Sequence, residues 1–401
     1  MKALSQYASK RDGCRKDLPP AAALRFLLDR LATDFKACLW DIPDDFLSWD
    51  HYLRAVSSLD WTSSPGYPHM RRATSNGQFF GVKDGKPDPE RVRDIWAEVQ
   101  DRLEALERGE LAADHIRLFV KAEPLKPKKV LTNSFRLISS VSVVDQIIDH
   151  MLFDGMNETM YDNWDKTPSR VGWSPFCGGW RVMPRGKSLA LDKSSWDWTV
   201  QMWMIDVVLR LRTKLCRNVN EKWLSLAKAR YLALFDSPTF ITSGGMILKQ
   251  RQPGVMKSGC VNTIADNTIM QIMLHYRVVQ ELGWPVSGIV AMGDDTLQQP
   301  VVNERQYLDK MSEYCIVKQI EHKTEFAGML FDGRSVEPVY CGKHAFTLLH
   351  MDPKIEQDLA VSYTLLYHRS KYRDWFENLF SDMGLEVPDR DWRDAIYDSL
   401  E

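Results

Sequence analysis

The sequence predicts an α+β fold in which a small antiparallel sheet carrying carboxylates at its edge is set among helices. Three observations predict it. Two short apolar segments run into aspartate, Ser188–Leu191 directly into Asp192 and Val286–Met292 through Gly293 into Asp294-Asp295. Stretches at 20–40, 88–110, 200–216, 220–235 and 258–282 carry the pattern of helices. From about residue 355 onward the pattern is mostly helical as well. No clean linker divides the 401 residues. A chain of that length holds two or three lobes or one interlocked unit, and interlocked subdomains are expected here.

The elements follow in order. Residues 20–40 form an amphipathic helix. In 88–110, Val92, Ile95, Trp96, Val99, Leu103 and Leu106 share one face. A turn-rich passage lies between them, with Ser63-Ser64-Pro65-Gly66-Tyr67-Pro68 and Asp84-Gly85-Lys86-Pro87. Residues 116–121 read as a strand entering a basic stretch that its prolines keep extended. Ser188–Asp192 is a strand ending in a carboxylate, followed by helices at 200–216 and 220–235. A long helix opens at Ser258-Gly259. Val286–Met292 and Thr296–Val302 form a hairpin with Gly293-Asp294-Asp295 at its tip.

Composition is that of an ordinary globular chain, 44% hydrophobic and 26% charged. Its 14 tryptophans suit a large core. Net charge is only -2, so any nucleic-acid surface must be local. From Arg117 to Arg136 there are six basic residues and one acid, Glu123. The tail from Lys371 to Glu401 has nine acids and four bases. The seven cysteines are scattered and never in C-x-x-C spacing, which argues against a disulfide framework or a zinc ribbon. A reducing, intracellular setting is therefore expected. No apolar run reaches the roughly 20 residues of a membrane span. Met1–Pro20 lacks the apolar core of a signal peptide.

Four pieces could carry chemistry. Gly293-Asp294-Asp295 alone reads as a hairpin turn. Behind a buried-type strand, though, paired carboxylates need a cation, because unpaired buried charge is strongly unfavourable. Asp192-x4-Asp197 places a second carboxylate at a strand end, where it could equally cap a helix. If the strands are neighbours, Asp192, Asp294 and Asp295 could hold two Mg²⁺ or Mn²⁺ ions about 3.5–4 Å apart. In Ser258-Gly259-x3-Thr263-x3-Asn267, Thr263 and Asn267 share a helix face. Such groups can read a ribose 2′-hydroxyl, or they can be a capped helix with a polar stripe. Lys121 to Arg136 can neutralise phosphate charge or be a solvated loop.

The order and spacing of these pieces resemble the motif series of viral RNA-dependent RNA polymerases, most closely those of the sobemovirus, luteovirus-like and barnavirus group. Thr62–Pro68 resembles motif G and Lys121–Arg136 motif F. Asp192-x4-Asp197 resembles motif A, Ser258–Asn267 motif B and Gly293-Asp294-Asp295 motif C. Lys318 falls in motif D, with Lys323 close by, and Glu325-Phe326-Ala327-Gly328 falls in motif E. The resemblance spans about 60–330. It implies a right-hand fold, with fingers at 1–186, palm at 187–215, a fingers insertion at 216–255, palm again at 256–335 and a small thumb at 336–401.

The same resemblance implies roles. Asp192, Asp294 and Asp295 would hold the metals. Asp197, Asn267 and Ser258, with Gly259 and Thr263, would check the ribose. Lys121 and Arg136 would contact the triphosphate, and Lys318 would act as general acid. Ser64, Pro65, Gly66, Lys126, Lys128 and Lys129 would meet the RNA. The expected partners are template and product RNA, NTPs, a genome-linked protein primer and other viral replication proteins. The expected location is the host cytoplasm, at membrane-associated replication complexes. Two other readings stand beside this one. Reverse transcription on a similar palm is disfavoured by Asn267 and by the absence of a Tyr-x-Asp-Asp motif. An RNA-packaging protein using residues 117–136 leaves the three carboxylates unexplained.

Overall fold

The computed structural model describes residues 2–399. Its strands, in chain order, are β1 (Ile116–Val120), β2 (Leu137–Ser140), β3 (Leu189–Ser194), β4 (Thr239–Thr242), β5 (Ile247–Lys249), β6 (Ile289–Met292), β7 (Asp295–Gln298), β8 (Ile316–Glu321), β9 (Glu325–Phe326), β10 (Met329–Asp332) and β11 (Ser335–Pro338). They assemble as β6-β7-β3-β8, β2-β1-β4-β5 and β11-β10-β9.

The alternation along β3 explains the layering. Leu189 and Leu191 face the main core, while Ala190 turns to a second cluster with Leu297, Trp173, Met183 and Phe326. The period of two therefore buries both faces of β3 at its start, while Asp192 and most of β8 stay open to solvent. β3 is central, pairing antiparallel with β7 on one side and β8 on the other. The helix Thr263–Glu281 belongs to the main core, and every residue from Ala265 to Val279 is buried.

A helix buried all round must satisfy its polar residues internally. Arg212 donates to Asp266 at 2.7 Å, and the Tyr231 hydroxyl donates to the same carboxylate at 2.9 Å. The Arg277 guanidinium reaches Glu281 at 3.0 Å. Across the core, Arg230 lies 2.7 Å from Asp149 and 3.0 Å from Asp145. Arg102 also pairs with Asp145, at 2.6 Å. These contacts tie the helices Val143–Asp162, Glu221–Phe235 and Pro89–Glu107 together.

In the second sheet, β1 and β2 are an antiparallel pair and β1 runs parallel to β4. Segments far apart in sequence thus share one sheet. The C-terminal helices Glu356–Leu366 and Arg373–Asp382 pack on a small core of Ala360, Tyr363, Tyr367, Phe376 and Phe380. The amides of Cys177 and Gly178 donate to the carbonyls of Ile396 and Tyr397, anchoring this end.

Several expected boundaries move. The long helix begins at Thr263, so Ser258 and Gly259 lie in the loop before it. β6 begins at Ile289 and β7 ends at Gln298, both shorter than the apolar pattern. Asp192 lies inside β3 rather than at its end. The basic stretch is not extended throughout, because Pro127 opens a short helix to Leu131. Proline at the first helical turn has no lost hydrogen bond and a suitable φ.

Replacing Arg230 with Met would leave Asp145 short of a partner and Asp149 buried without one. Removing one partner of a buried pair costs about 3–5 kcal/mol. Urea unfolding of Arg230→Met should show a loss of that order, and a loss below about 1 kcal/mol would mean the network is not structural.

Candidate active site

Strand register brings the carboxylates together. Leu191 pairs with Thr296, so Asp192 and Asp295 come next along adjoining strands. Met292 pairs with Asp295 across the β6–β7 turn, which leaves Gly293 and Asp294 at the tip. Gly293 has φ +62, a conformation glycine adopts without strain. The turn is held from the long helix: the Gly293 amide donates to Thr268 Oγ1 at 2.8 Å, and Gln271 Nε2 lies 3.4 Å from the Asp294 carbonyl.

The electrostatics show the crowding. The Asp295 carboxyl is pushed up to about 6. Surrounding protein strips part of its hydration, and Asp294, Asp192 and Glu325 add like charge. Glu325 is raised too, by burial first, then by Glu321 and Asp192. Lys318 Nζ meets Asp192 at 2.5 Å, while Lys323 borders a different cavity with Arg185 and Phe331. Lys318 is thus the lysine brought to the carboxylates. Beneath them the buried Lys193 ammonium donates to Thr296 Oγ1 at 3.2 Å. Among the described residues no three His, Cys, Asp or Glu side chains are already drawn close enough to chelate an ion. The donor set is nonetheless hard oxygen on adjoining strands, and its mutual repulsion is what a divalent cation would relieve.

Beside this group lies a second one. Asn267 Nδ2 donates to Asp197 Oδ1 at 2.8 Å, and Trp196 Nε1 donates to Asn267 Oδ1 at 3.0 Å. Trp196 thereby fixes which way the amide points. Burial pushes Asp197 up to about 6, with Asp294 adding to the rise, while hydrogen bonds from Asn267 and Ser258 pull against it. Asp197, Asn267 and Ser258 are therefore together. Thr263 is not free to join them. Its hydroxyl lies 2.7 Å from the Cys260 carbonyl and 3.1 Å from that of Lys257, and it accepts from the Gly259 amide at 3.3 Å. It staples the loop. Gly259 has φ +124, and a Cβ there would sit 2.6 Å from the Ser139 carbonyl. Its role is close approach to β2.

The family described as viral RNA-dependent RNA polymerase matches residues 50–317, more than half of the chain. The chain belongs to that family. Among its relatives, the RNA-directed RNA polymerase of Mushroom bacilliform virus is 29% identical over 73% of this chain and 74% of its own length. Protein P1-P2 of Pea enation mosaic virus-1 is 32% identical over 77% of this chain, and the replicase polyprotein P2AB of Southern bean mosaic virus is 31% identical over 65%. The chain spans only 28% of each of those two longer proteins. The viruses named bear out the sobemovirus, luteovirus-like and barnavirus group.

The remaining expected polymerase residues fall in two places. Lys121 and Arg136 face each other at the base of a projecting loop, the Lys121 amide donating to the Arg136 carbonyl at 2.9 Å. Arg136 also pairs with Glu123 at 3.3 Å. Lys126, Lys128 and Lys129 are solvent-facing on the loop itself. Pro65 and Gly66 are buried, however. The Pro65 carbonyl accepts from the Val143 amide, and a Cβ on Gly66 would sit 2.5 Å from the Val141 carbonyl. Only Ser64 of that trio keeps partial exposure, so a direct RNA contact by all three does not fit.

Sequence reading missed the residues that hold the site from behind: Lys193, Thr268, Gln271 and Trp196. Thr268 sits one residue beyond Asn267, but nothing in the sequence says that its hydroxyl reaches the Gly293 amide. Tyr340 was missed as well. Its hydroxyl pKa is raised by partial burial, then by Asp295, Glu325, Asp192 and Asp294, so it lies within electrostatic reach of the carboxylates.

The raised carboxyl makes stability depend on pH. Asp295 ordinarily ionises near 3.8 and in the fold near 6. The folded state holds the proton more tightly, so this contribution is present below about pH 4 and is lost as pH rises through 6. With EDTA present, Asp295→Asn should flatten the fall in melting temperature between those values. Identical profiles for the two proteins would contradict the crowding.

Proposed function

We propose that the chain copies the RNA genome of a positive-strand virus by template-directed nucleotidyl transfer, with Asp192, Asp294 and Asp295 as the metal-holding set. The observation that carries this is their meeting on adjoining strands beside the Asp197–Asn267–Ser258 group. Two Mg²⁺ or Mn²⁺ ions bound there would acidify the attacking 3′-hydroxyl and neutralise departing pyrophosphate. The chain's own part is positioning and charge. The β6–β7 turn, held by Thr268 and Gln271, fixes Asp294 and Asp295. Trp196 orients Asn267, and the Asn267–Asp197 pair offers both a donor and an acceptor to a ribose hydroxyl. Lys121 and Arg136 steer the triphosphate toward this point. Lys318, now on Asp192, is placed to give a proton to pyrophosphate once a cation takes its carboxylate partner.

In right-hand terms, the β6-β7-β3-β8 sheet serves as palm (187–215 and 256–335). Residues 1–186 and 216–255 serve as fingers, supported by the β1–β4 pairing, and 336–401 as thumb. The partners are template and product RNA and NTPs, with a genome-linked protein primer and other viral replication proteins. Among the described residues no helix is long and apolar enough to cross a membrane. Association with membrane-bound replication complexes in the host cytoplasm would then run through those other proteins.

Labelled-nucleotide incorporation on a short self-priming RNA, with Mg²⁺ or Mn²⁺, tests the proposal. Wild type should incorporate NTP, and Asp294→Ala should lose synthesis while still binding RNA. Equal activity in both would remove the carboxylates from the mechanism. Asn267→Ala should lower the preference for NTP over dNTP, and an unchanged ratio would take Asn267 out of ribose selection. Replacing Lys128 and Lys129 with Glu should weaken RNA binding and reduce its salt slope by about one unit or more, since each lost phosphate contact on a single strand removes roughly 0.7. An unchanged slope would make that loop a solvated surface.

A further inference from the structure

Two cations are buried near the ribose-checking group with no carboxylate partner of their own among the described residues. Lys257 is wholly buried, and its ammonium reaches the Val255 carbonyl at 2.7 Å, the Gly254 carbonyl at 2.9 Å and Gln250 Oε1 at 2.9 Å. The rings of Phe235 and Phe240 lie 5.3 and 5.8 Å away. Arg11, on the N-terminal helix Lys2–Asp12, is 5% exposed. Its guanidinium donates to the carbonyls of Val200 at 2.6 Å and Trp198 at 3.1 Å, and also to that of Pro253. Burial holds the Lys257 ammonium well below the ordinary lysine pKa, and the Arg11 charge pushes the same way.

What these cations grip is a strained loop. Val255 has φ +60, a conformation that β-branched residues rarely adopt. Such strain persists only when the surroundings over-determine it. Here the Val255 amide donates to the Val200 carbonyl at 2.9 Å, and the Met256 amide donates to the Asp197 carbonyl at 2.8 Å. Gly254 has φ +105 and approaches so closely that a Cβ would sit 2.5 Å from the Val200 carbonyl. The loop leading to Ser258 is thus pressed onto the turn that carries Asp197, with Arg11 bridging the two and Lys257 closing the loop from inside. Tyr7 of the same N-terminal helix stacks on Trp198, centroids 4.8 Å apart and 8° from parallel.

We propose that Arg11 and Lys257 are positioning residues for ribose selection, setting the distance between Asp197 and Ser258, and that the N-terminal helix is therefore part of the nucleotide site. The proposal rests on the polymerase reading and adds to it residues that touch neither nucleotide nor metal. Buried carbonyls left without donors are costly, so without either cation the loop can relax away from the turn. Asp197 and Asn267 would remain bonded to each other but would lose their register with Ser258.

The test is single-nucleotide extension by the full chain, measuring kcat and KM for an NTP and the matching dNTP. Wild type, Lys257→Met, Arg11→Met and Arg11→Lys are compared, with circular dichroism melts alongside. Lys257→Met and Arg11→Met should each lower the NTP-over-dNTP ratio of kcat/KM by about tenfold, mainly through a higher KM for NTP. Arg11→Lys should recover part of the ratio, and RNA affinity should stay at the wild-type value. A uniform loss of activity on both substrates, with the ratio intact, would overturn the proposal and leave the polymerase reading untouched. Should Lys257→Met fail to fold, the Arg11 pair decides alone, because Arg11 holds the same loop from the other side. Silence from wild type would count against the polymerase reading itself, an outcome separate from any change in ratio.

Discussion

Bringing like charges onto adjoining strands is the constraint on which the rest of the structure depends. Register places Asp192 beside Asp295 and leaves Asp294 at the turn between. Lost hydration first, and then repulsion from Asp294, Asp192 and Glu325, holds Asp295 near 6 rather than at an ordinary carboxylate value. Such an arrangement survives only on a rigid support. Strand β3 is anchored in one core through Leu189 and Leu191 and in another through Ala190, and the turn is bonded to the long helix through Thr268 and Gln271. Lys318 and Lys193 supply positive charge from two sides.

The same helix serves the second group. Asn267 is reached by Trp196 and reaches Asp197, one residue before Thr268 touches the turn. One buried element therefore sets the carboxylates and the Asp197–Asn267 pair in a single frame. Its Asp266 is held by Arg212 and Tyr231 and its His275 by Tyr307, so the frame is fixed by directed bonds as well as by packing. The loop before the helix is joined to the frame separately, through Thr263, Lys257 and Arg11.

Much of this was legible in the sequence. Apolar runs ending in Asp192 and at Asp294-Asp295 identified the strands, because a period-two or fully apolar strand leaves few other readings. Helical spacing identified 88–110, 200–216 and 220–235. The resemblance to polymerase motifs A and B singled out Asp197, Ser258 and Asn267, a set that the fold does bring together. What escaped was tertiary. Thr263 looks like a face-sharing partner of Asn267, yet loop carbonyls draw its hydroxyl inward. Pro65 and Gly66 look exposed in a turn-rich passage, but helix Val143–Asp162 starts against them. Lys193 and Lys257 look like surface lysines, since nothing local marks a buried ammonium. The helix boundary at Ser258 was misplaced because Ser-Gly is both a good helix entry and a good loop.

The most direct test of the central claim is where a cation goes. Crystals soaked in Mn²⁺ and measured for anomalous scattering should show density among the carboxylates of Asp192, Asp294 and Asp295, with Lys318 released from Asp192. Mn²⁺ bound elsewhere, or none at these side chains with the Lys318–Asp192 pair intact, would contradict the account.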